Sequence, residues 1–429
     1  MTGTLRIGIV CLHTDPFQPP GSGDVGGMNV VVRQTSAAMA AAGHEVTVWT
    51  RLSSADRPER EDVDGVRLRR LPVGPPRTLL KSDHDHLIEP FRVALAADRP
   101  QVDVLHSHHW FSGVAALPLA RELGVPHLQS FHSIAAPPQA ALSEGEPPES
   151  QARLEGETWL ARRTDAVVAV SEAEARTVVD RLGADPAVVH VVHPGVDPDL
   201  FHPEPVPGGR PMLLAAARLE PLKAIDLAIQ TLAGVIERRS PDAPRPRLVV
   251  AGGATSDEAY PRSLAALAER LGVADDVALV GPQDRRALAA LMRASALVLV
   301  PSHSETYGLV ALEAAASGVP VVAARTGGLA ESVVDGVTGV LLPGWNPSTW
   351  SEAVAALLAD PERAAALGAA GRAHALERRW EDVAEATIAL YRGSAGARLS
   401  RRRRRCRVVG CRVVGAVHDA SAAHGRPRP

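Results

Sequence analysis

The chain has 429 residues, 45% apolar, 22% charged and only 3% aromatic, a length beyond what one hydrophobic core usually organises and a composition ordinary for two globular domains. The net charge of −3 is unevenly spread: residues 394–429 carry ten arginines and one acid, leaving 36 basic and 48 acidic residues before them. An acidic body argues against a nucleic-acid partner, three cysteines make no disulfide framework, and no apolar run approaches the roughly 18 residues of a membrane span. Because "LRIGIV" leads straight into a strand pattern, no secretion signal is read, and the cytoplasm is the expected location.

In chain order, short Val/Ile/Leu-rich runs alternate with longer helical patterns. Strands are expected at "LRIGIV", "HEVTVWT", "VRLRRL", "VDVLHSH", "PHLQSFHS", "AVVAVS" and "VVHVVHP". After the Pro/Gly-rich stretch "GVDPDLFHPEPVPGGRP" the pattern restarts with "MLLAAARL", "RLVVAGG", "VALVG", "ALVLVPS" and "VPVVAAR". Runs that are apolar throughout signal strands covered on both faces, as in parallel sheets built from βαβ units. The expected fold is α/β, two doubly wound Rossmann-like domains facing across a cleft. The domains are placed at 1–202 and 203–378, with a helix at 379–393 crossing back to the first domain and a disordered basic tail at 394–429. Ligands of doubly wound sheets bind outside the carboxyl ends of the strands, which is where the polar motifs of this chain fall.

The first such motif, "HTDPFQPPGSGDVGGMN", contains Gly21-x-Gly23-x-x-Gly26. As a dinucleotide fingerprint it is weak, because eight residues separate His13 from the first glycine and the fingerprint needs its turn directly after the strand. Glycines still allow backbone N–H groups to approach a phosphate at a helix start. In "AARLEPLKAIDLAI", Arg218 ends a strand and Lys223 opens a helix, a pair suited to a diphosphate; pairing with Glu220 and Asp226 is the bland alternative. In "SETYGLVALEAAASG", Thr306-Tyr307-Gly308 turns into a helix whose free N–H groups make an anion site. Glu305 precedes the turn and Glu313 lies about two helical turns further on. Glu313 has no Lys or Arg four residues away to explain it, so one acid for each sugar of a nucleotide-sugar is the functional reading.

Those residues, E-x7-E preceded by R-L-x3-K and by "HPGVDPDLF", resemble the retaining glycosyltransferases of family 4, which have the GT-B fold. The resemblance covers roughly residues 4–393. It implies that Arg218 and Lys223 hold the donor diphosphate, Glu305 the donor sugar and Glu313 the ribose. It sets Gly27, Thr306, Tyr307, Gly308 and Leu309 along the donor, Gln283 near the base and His132 against the sugar. The motifs "GDVGGMN", "HSHHWFSG" and "PPESQAR" are similar to the branch that moves N-acetylglucosamine from UDP-GlcNAc to inositol 3-phosphate in mycothiol biosynthesis. By that likeness Lys81, His109, Ser133 and Arg153 would meet the acceptor phosphate, with His13, Asp24 and Asn29 beside the polyol. The chain departs from the family at Ala224 (usually glycine), His109 (tyrosine) and Ser133 (threonine). His109 and Ser133 still present hydrogen-bond donors.

The resemblance also implies retention by front-face displacement with no cofactor and no obligatory metal. His106, His108 and His109 sit along a strand end without an acid, which is not a zinc spacing. Two other functions stay open. A nucleotide-sugar epimerase shares the architecture and would act on UDP-GlcNAc without an acceptor. A degenerate sugar-binding protein would bind without turnover, although the intact Arg218, Lys223, Glu305 and Glu313 speak against it. Small-molecule donor and acceptor are the expected partners. A homodimer is compatible with the sequence, and the arginine tail is compatible with weak contact to an anionic membrane surface.

Overall fold

The structure, a computed structural model, describes residues 3–18, 26–204, 209–254 and 259–396. Of the expected tail, 397–429 lie outside the described residues, as do Asp24, Gly21 and Gly23. The first half builds one sheet from β1 (Arg6–Cys11), β2 (Glu45–Arg51), β3 (Arg60–Val63), β4 (Val66–Leu71), β5 (Val104–His108), β6 (His127–Ser130), β7 (Ala166–Ala169) and β8 (Val189–Val191). Its order is β3-β4-β2-β1-β5-β6-β7-β8. Every pairing in it is parallel except the β3–β4 hairpin. The second half builds β9 (Met212–Ala216), β10 (Arg247–Ala251), β11 (Val277–Gly281), β12 (Leu297–Val300), β13 (Val321–Ala324) and β14 (Gly339–Leu342). These form an all-parallel sheet in the order β11-β10-β9-β12-β13-β14.

Helices cover both faces of each sheet, so β5, β6, β7, β12 and β13 are buried along their whole length. The expectation that continuous apolar runs are covered on both faces fails at β11. It is an edge strand, and Leu279 and Val280 are about two-fifths exposed. Two strands were not expected. β3, "REDV", carries a single apolar residue and is held by the Asp64-Gly65 turn, where both residues have positive φ, the geometry of a tight hairpin. β14, "GVLL", is a short edge strand beside β13.

The helix at 380–396 packs against the first sheet: Ala384, Ile388 and Tyr391 share a core with Ile7, Ile9, Val32 and Val48. The Tyr391 hydroxyl lies 2.8 Å from Nδ1 of His106 on β5. The chain meets itself near this helix, because Val196 pairs with Arg379 and a Cβ at Gly195 would come within 2.8 Å of the Arg379 backbone. Val196 and Phe201 are buried in the core that contains β9, β12 and β13. No described helix is long and apolar enough to cross a membrane.

Candidate active site

Each sheet reverses its strand order once, between β1 and β5 in the first and between β9 and β12 in the second. At such switch points the loops diverge and leave a crevice beyond the strand ends. The two crevices face each other and enclose a cavity of about 340 Å³. His13 follows β1, His109 follows β5, Arg218 follows β9 and Glu305 follows β12, and all four line it. The halves also touch directly: Thr306 Oγ1 donates to the His132 carbonyl at 2.6 Å, and the Glu331 carboxylate accepts the Glu172 and Ala173 N–H groups at 2.8 and 2.9 Å.

On the second half, Lys223 Nζ donates to Glu305 Oε1 at 2.7 Å, and Ser302 Oγ donates to the same oxygen at 3.0 Å. Arg218 pairs with Glu220 at 3.0 Å, while Asp226 takes its hydrogen bond from the Tyr260 hydroxyl instead. Ala224 has φ 47 and opens the helix Ile225–Arg238. That left-handed conformation is the physical reason a glycine suits the position.

Gly308 has φ 100 and caps the helix Leu309–Ala316; a Cβ there would meet Leu329 Cδ2 at 2.5 Å. The Tyr307 ring is buried in the core with its hydroxyl accepting from Arg378, leaving its main chain for the cleft. Burial pushes the Tyr307 phenol up to about 12, against the opposing effect of Arg378. Gln283 Nε2 donates to the Val280 carbonyl at 2.9 Å. Gly27, Gln283, Leu309 and Glu313 all line the cavity.

Glu313 is not the unpaired acid that helical spacing suggests. It is buried, and Arg285 Nη1, from the helix Arg285–Arg293, donates to it at 2.8 Å. Arg285 lines the cleft and had no periodic signal, since a pair between separate elements leaves no spacing in the sequence. Gly327 and Gly328 were missed as well. A Cβ on either would fall within about 2.2 Å of the Glu305 or Thr306 carbonyl oxygen, so these glycines let the loop after β13 lie flat against the Glu305–Thr306 turn.

On the first half, His13, Asn29, Lys81, His109, His132 and Ser133 line the cavity. Asn29 is buried and donates to Thr14 Oγ1 and to the Asp15 carbonyl, which fixes the helix Gly27–Ala41 to the loop after β1. Arg153 is not a lining residue. It is wholly buried beneath the pocket, bonded to Glu157 at 2.8 Å, Glu149 at 2.7 Å, Glu146 at 3.2 Å and Ser133 Oγ at 3.0 Å. Glu146, which does line the cleft, also accepts from Lys81. Burial would raise the Glu146 carboxyl, but Lys81, Arg153 and Arg218 outweigh it and hold it well below the usual carboxylate range. This acid was missed, for "EGEPPES" reads as an ordinary loop.

His132 has φ 62, and its Nε2 lies 2.7 Å from His108 Nδ1. Burial lowers His132 and His106 to about 3, so both are neutral near pH 7. His106 turns to Tyr391, His108 to His132 and His109 to the cleft. Among the described residues, no group of three or more His, Cys, Asp or Glu is placed to hold a metal ion.

Two Rossmann-like lobes with a cleft between their strand ends are the GT-B architecture, and the relatives of this chain make it a glycosyltransferase. Models of known families agree: Glycosyltransferase Family 4 matches residues 25–200 and Glycosyl transferases group 1 matches residues 197–374. The chain is 39% identical over 404 residues to the D-inositol 3-phosphate glycosyltransferase of Segniliparus rotundus, covering 91% of this chain and 89% of that protein. It is 40% identical over 408 residues to the one of Xylanimonas cellulosilytica, covering 90% and 96%. Among solved structures, sucrose-phosphate synthase from Thermosynechococcus elongatus superposes with a TM-score of 0.82 at 27% identity, over 92% of this chain and 100% of that one. Anabaena HepE in complex with UDP-glucose superposes at 0.70 with 18% identity, over 92% and 100%, a likeness of fold alone. The chain belongs to glycosyltransferase family 4, together with these D-inositol 3-phosphate glycosyltransferases.

Proposed function

We propose that the protein is a retaining glycosyltransferase that moves N-acetylglucosamine from UDP-GlcNAc to inositol 3-phosphate. The observation that carries this reading is the convergence, around one cleft, of Arg218, Lys223, Glu305 and Glu313 with Lys81, His109 and Ser133. Relatives named for the same acceptor support it.

In this reading Arg218, Lys223 and the N–H groups at Gly308 receive the donor diphosphate, Glu305 the sugar hydroxyls and Glu313 the ribose, with main chain near Gln283 on the base. Gly27, Thr306, Tyr307 and Leu309 follow the donor, and His132 faces its sugar. The acceptor lies against His13, Asn29, Lys81, His109 and Ser133; the resemblance adds Asp24, which is outside the described residues. Arg153 acts through Ser133 and Glu146.

The acceptor hydroxyl oxygen attacks the anomeric carbon on the face from which UDP departs. The carbon–oxygen bond to the diphosphate breaks, and the hydroxyl proton passes to the leaving phosphate oxygen. Cations and helix dipoles fixed before the reaction stabilise the negative charge that develops there, and no metal is needed for that task. Excluding water from the closed cleft protects the donor from hydrolysis.

Transfer to inositol 3-phosphate is tested against a panel of UDP, GDP and ADP sugars, with the anomeric configuration of the product read by NMR. Preference for UDP-GlcNAc and an α-linked product are expected. Turnover with another donor base, or an inverted product, overturns the reading. In Lys223→Ala turnover is expected to fall at least about a hundredfold, in line with roughly 2.7–4 kcal/mol for one lost donor to a developing oxyanion. Near-normal transfer by that variant would remove Lys223 from the mechanism.

A further inference from the structure

Two imidazoles stand at the acceptor end of the cleft with unmet hydrogen-bonding capacity. Both ring nitrogens of His109 and Nδ1 of His13 are buried without a hydrogen-bond partner among the described residues. The rings are 4.3 Å apart, and both residues line the cavity. Buried polar atoms are nearly always satisfied, and these unmatched rings stand at the wall of the cavity.

The charges facing the pair come from every surrounding element. The 3-10 helix Lys81–Leu87 contributes Lys81 and His84, the latter with its ring centroid 6.0 Å from that of His13. The segment after β6 contributes His132, with the Ser133 hydroxyl beside it. Glu146 and Arg153 approach from below, and Arg153 brings Glu149 and Glu157 with it. Lys81 and Arg153, with Arg218 acting on Glu146 from the other lobe, are therefore answered by three carboxylates, and this cluster has no surplus positive charge to offer an incoming anion. Burial, then His13, Arg153 and Lys81, hold His109 well below the ordinary imidazole range. A dianion within hydrogen-bond reach reverses that balance, because an adjacent negative charge favours the imidazolium.

We propose that a phosphomonoester acceptor binds together with one proton, which the His13–His109 pair takes from solvent and presents to the phosphate as an N–H donor. The proposal rests on the acceptor reading given above. Its consequence is an acceptor affinity that weakens as pH rises, by up to about tenfold per pH unit for one full proton.

The test is isothermal titration of the UDP-loaded protein with inositol 3-phosphate at pH 7.5, in buffers of different ionisation enthalpy. At that pH the ligand is already dianionic, its second pKa being about 6. Uptake approaching one proton is expected in the native protein. His109→Tyr and the double variant His13→Asn/His109→Tyr keep hydrogen-bonding groups without titrating in this range; both are expected to bind with proton uptake largely lost and a flat pH dependence. Binding by the native protein without proton uptake, or equal uptake in the double variant, overturns the proposal and leaves the acceptor reading standing. Absence of any inositol phosphate binding by a protein that still binds UDP overturns both.

Discussion

Glu174 shows what a single buried group does to this molecule. It sits at the start of the helix Glu172–Asp180, and one of its oxygens accepts the Val170 N–H at 2.7 Å. Burial raises its carboxyl to about 7, against the lowering effect of neighbouring N–H groups. The folded protein therefore holds this proton more tightly than the unfolded chain. The stability Glu174 contributes is complete below about pH 4.5 and is lost as pH climbs through about 7. Glu174→Gln is expected to remove that decline, on the order of 3 kcal/mol across the window, as read by denaturant midpoints from pH 5 to 8; an unchanged pH slope would refute it. Arg285→Ala is expected to strand the buried Glu313 carboxylate and to cost about 3–5 kcal/mol, measured by chemical denaturation, with weaker UDP binding beside it. Glu305 and Glu313 were visible in the sequence as a spaced pair. Arg285 and Glu146 were not, because partners brought together from different loops carry no common period.

At the level of elements, the strands that positioned the chemistry were legible because they are apolar and followed by helices. β3 escaped because its strand is polar, and β14, no shorter than β12 or β13, because "GVLL" is set between the turn-forming stretches "DGVT" and "PGWNP" and reads as part of a loop. Local backbone geometry explains another departure. Ala224 occupies a left-handed conformation at the head of the helix that follows Lys223, so Ala224→Gly is expected to stabilise the protein by about 1 kcal/mol. Thermal unfolding should show a rise of about 1 °C for a chain of this length, and a fall would refute the strain. Gly328→Ala is expected to act in the opposite direction, since its Cβ would press on the Thr306 carbonyl. Displacement of that turn should raise the KM for the sugar nucleotide as well as lower the unfolding temperature.

Across the whole molecule, the two lobes are joined by contacts that only a three-dimensional arrangement could reveal. Glu331 reaches from one lobe to the N-terminus of the helix Glu172–Asp180 in the other, where a carboxylate is worth about 0.3–1 kcal/mol or more. Glu331→Ala is expected to shift the lobes toward opening: small-angle scattering should give a larger radius of gyration, and donor hydrolysis should increase relative to transfer. An unchanged scattering profile would show that the contact does not hold the lobes together.

The amino-terminal sheet takes part of its apolar cover, through Ala384, Ile388 and Tyr391, from the far end of the chain. A polypeptide emerging from the ribosome exposes Ile7 and Ile9 long before that cover has been synthesised. The lobe made first therefore completes its apolar cover only after the second lobe has been synthesised.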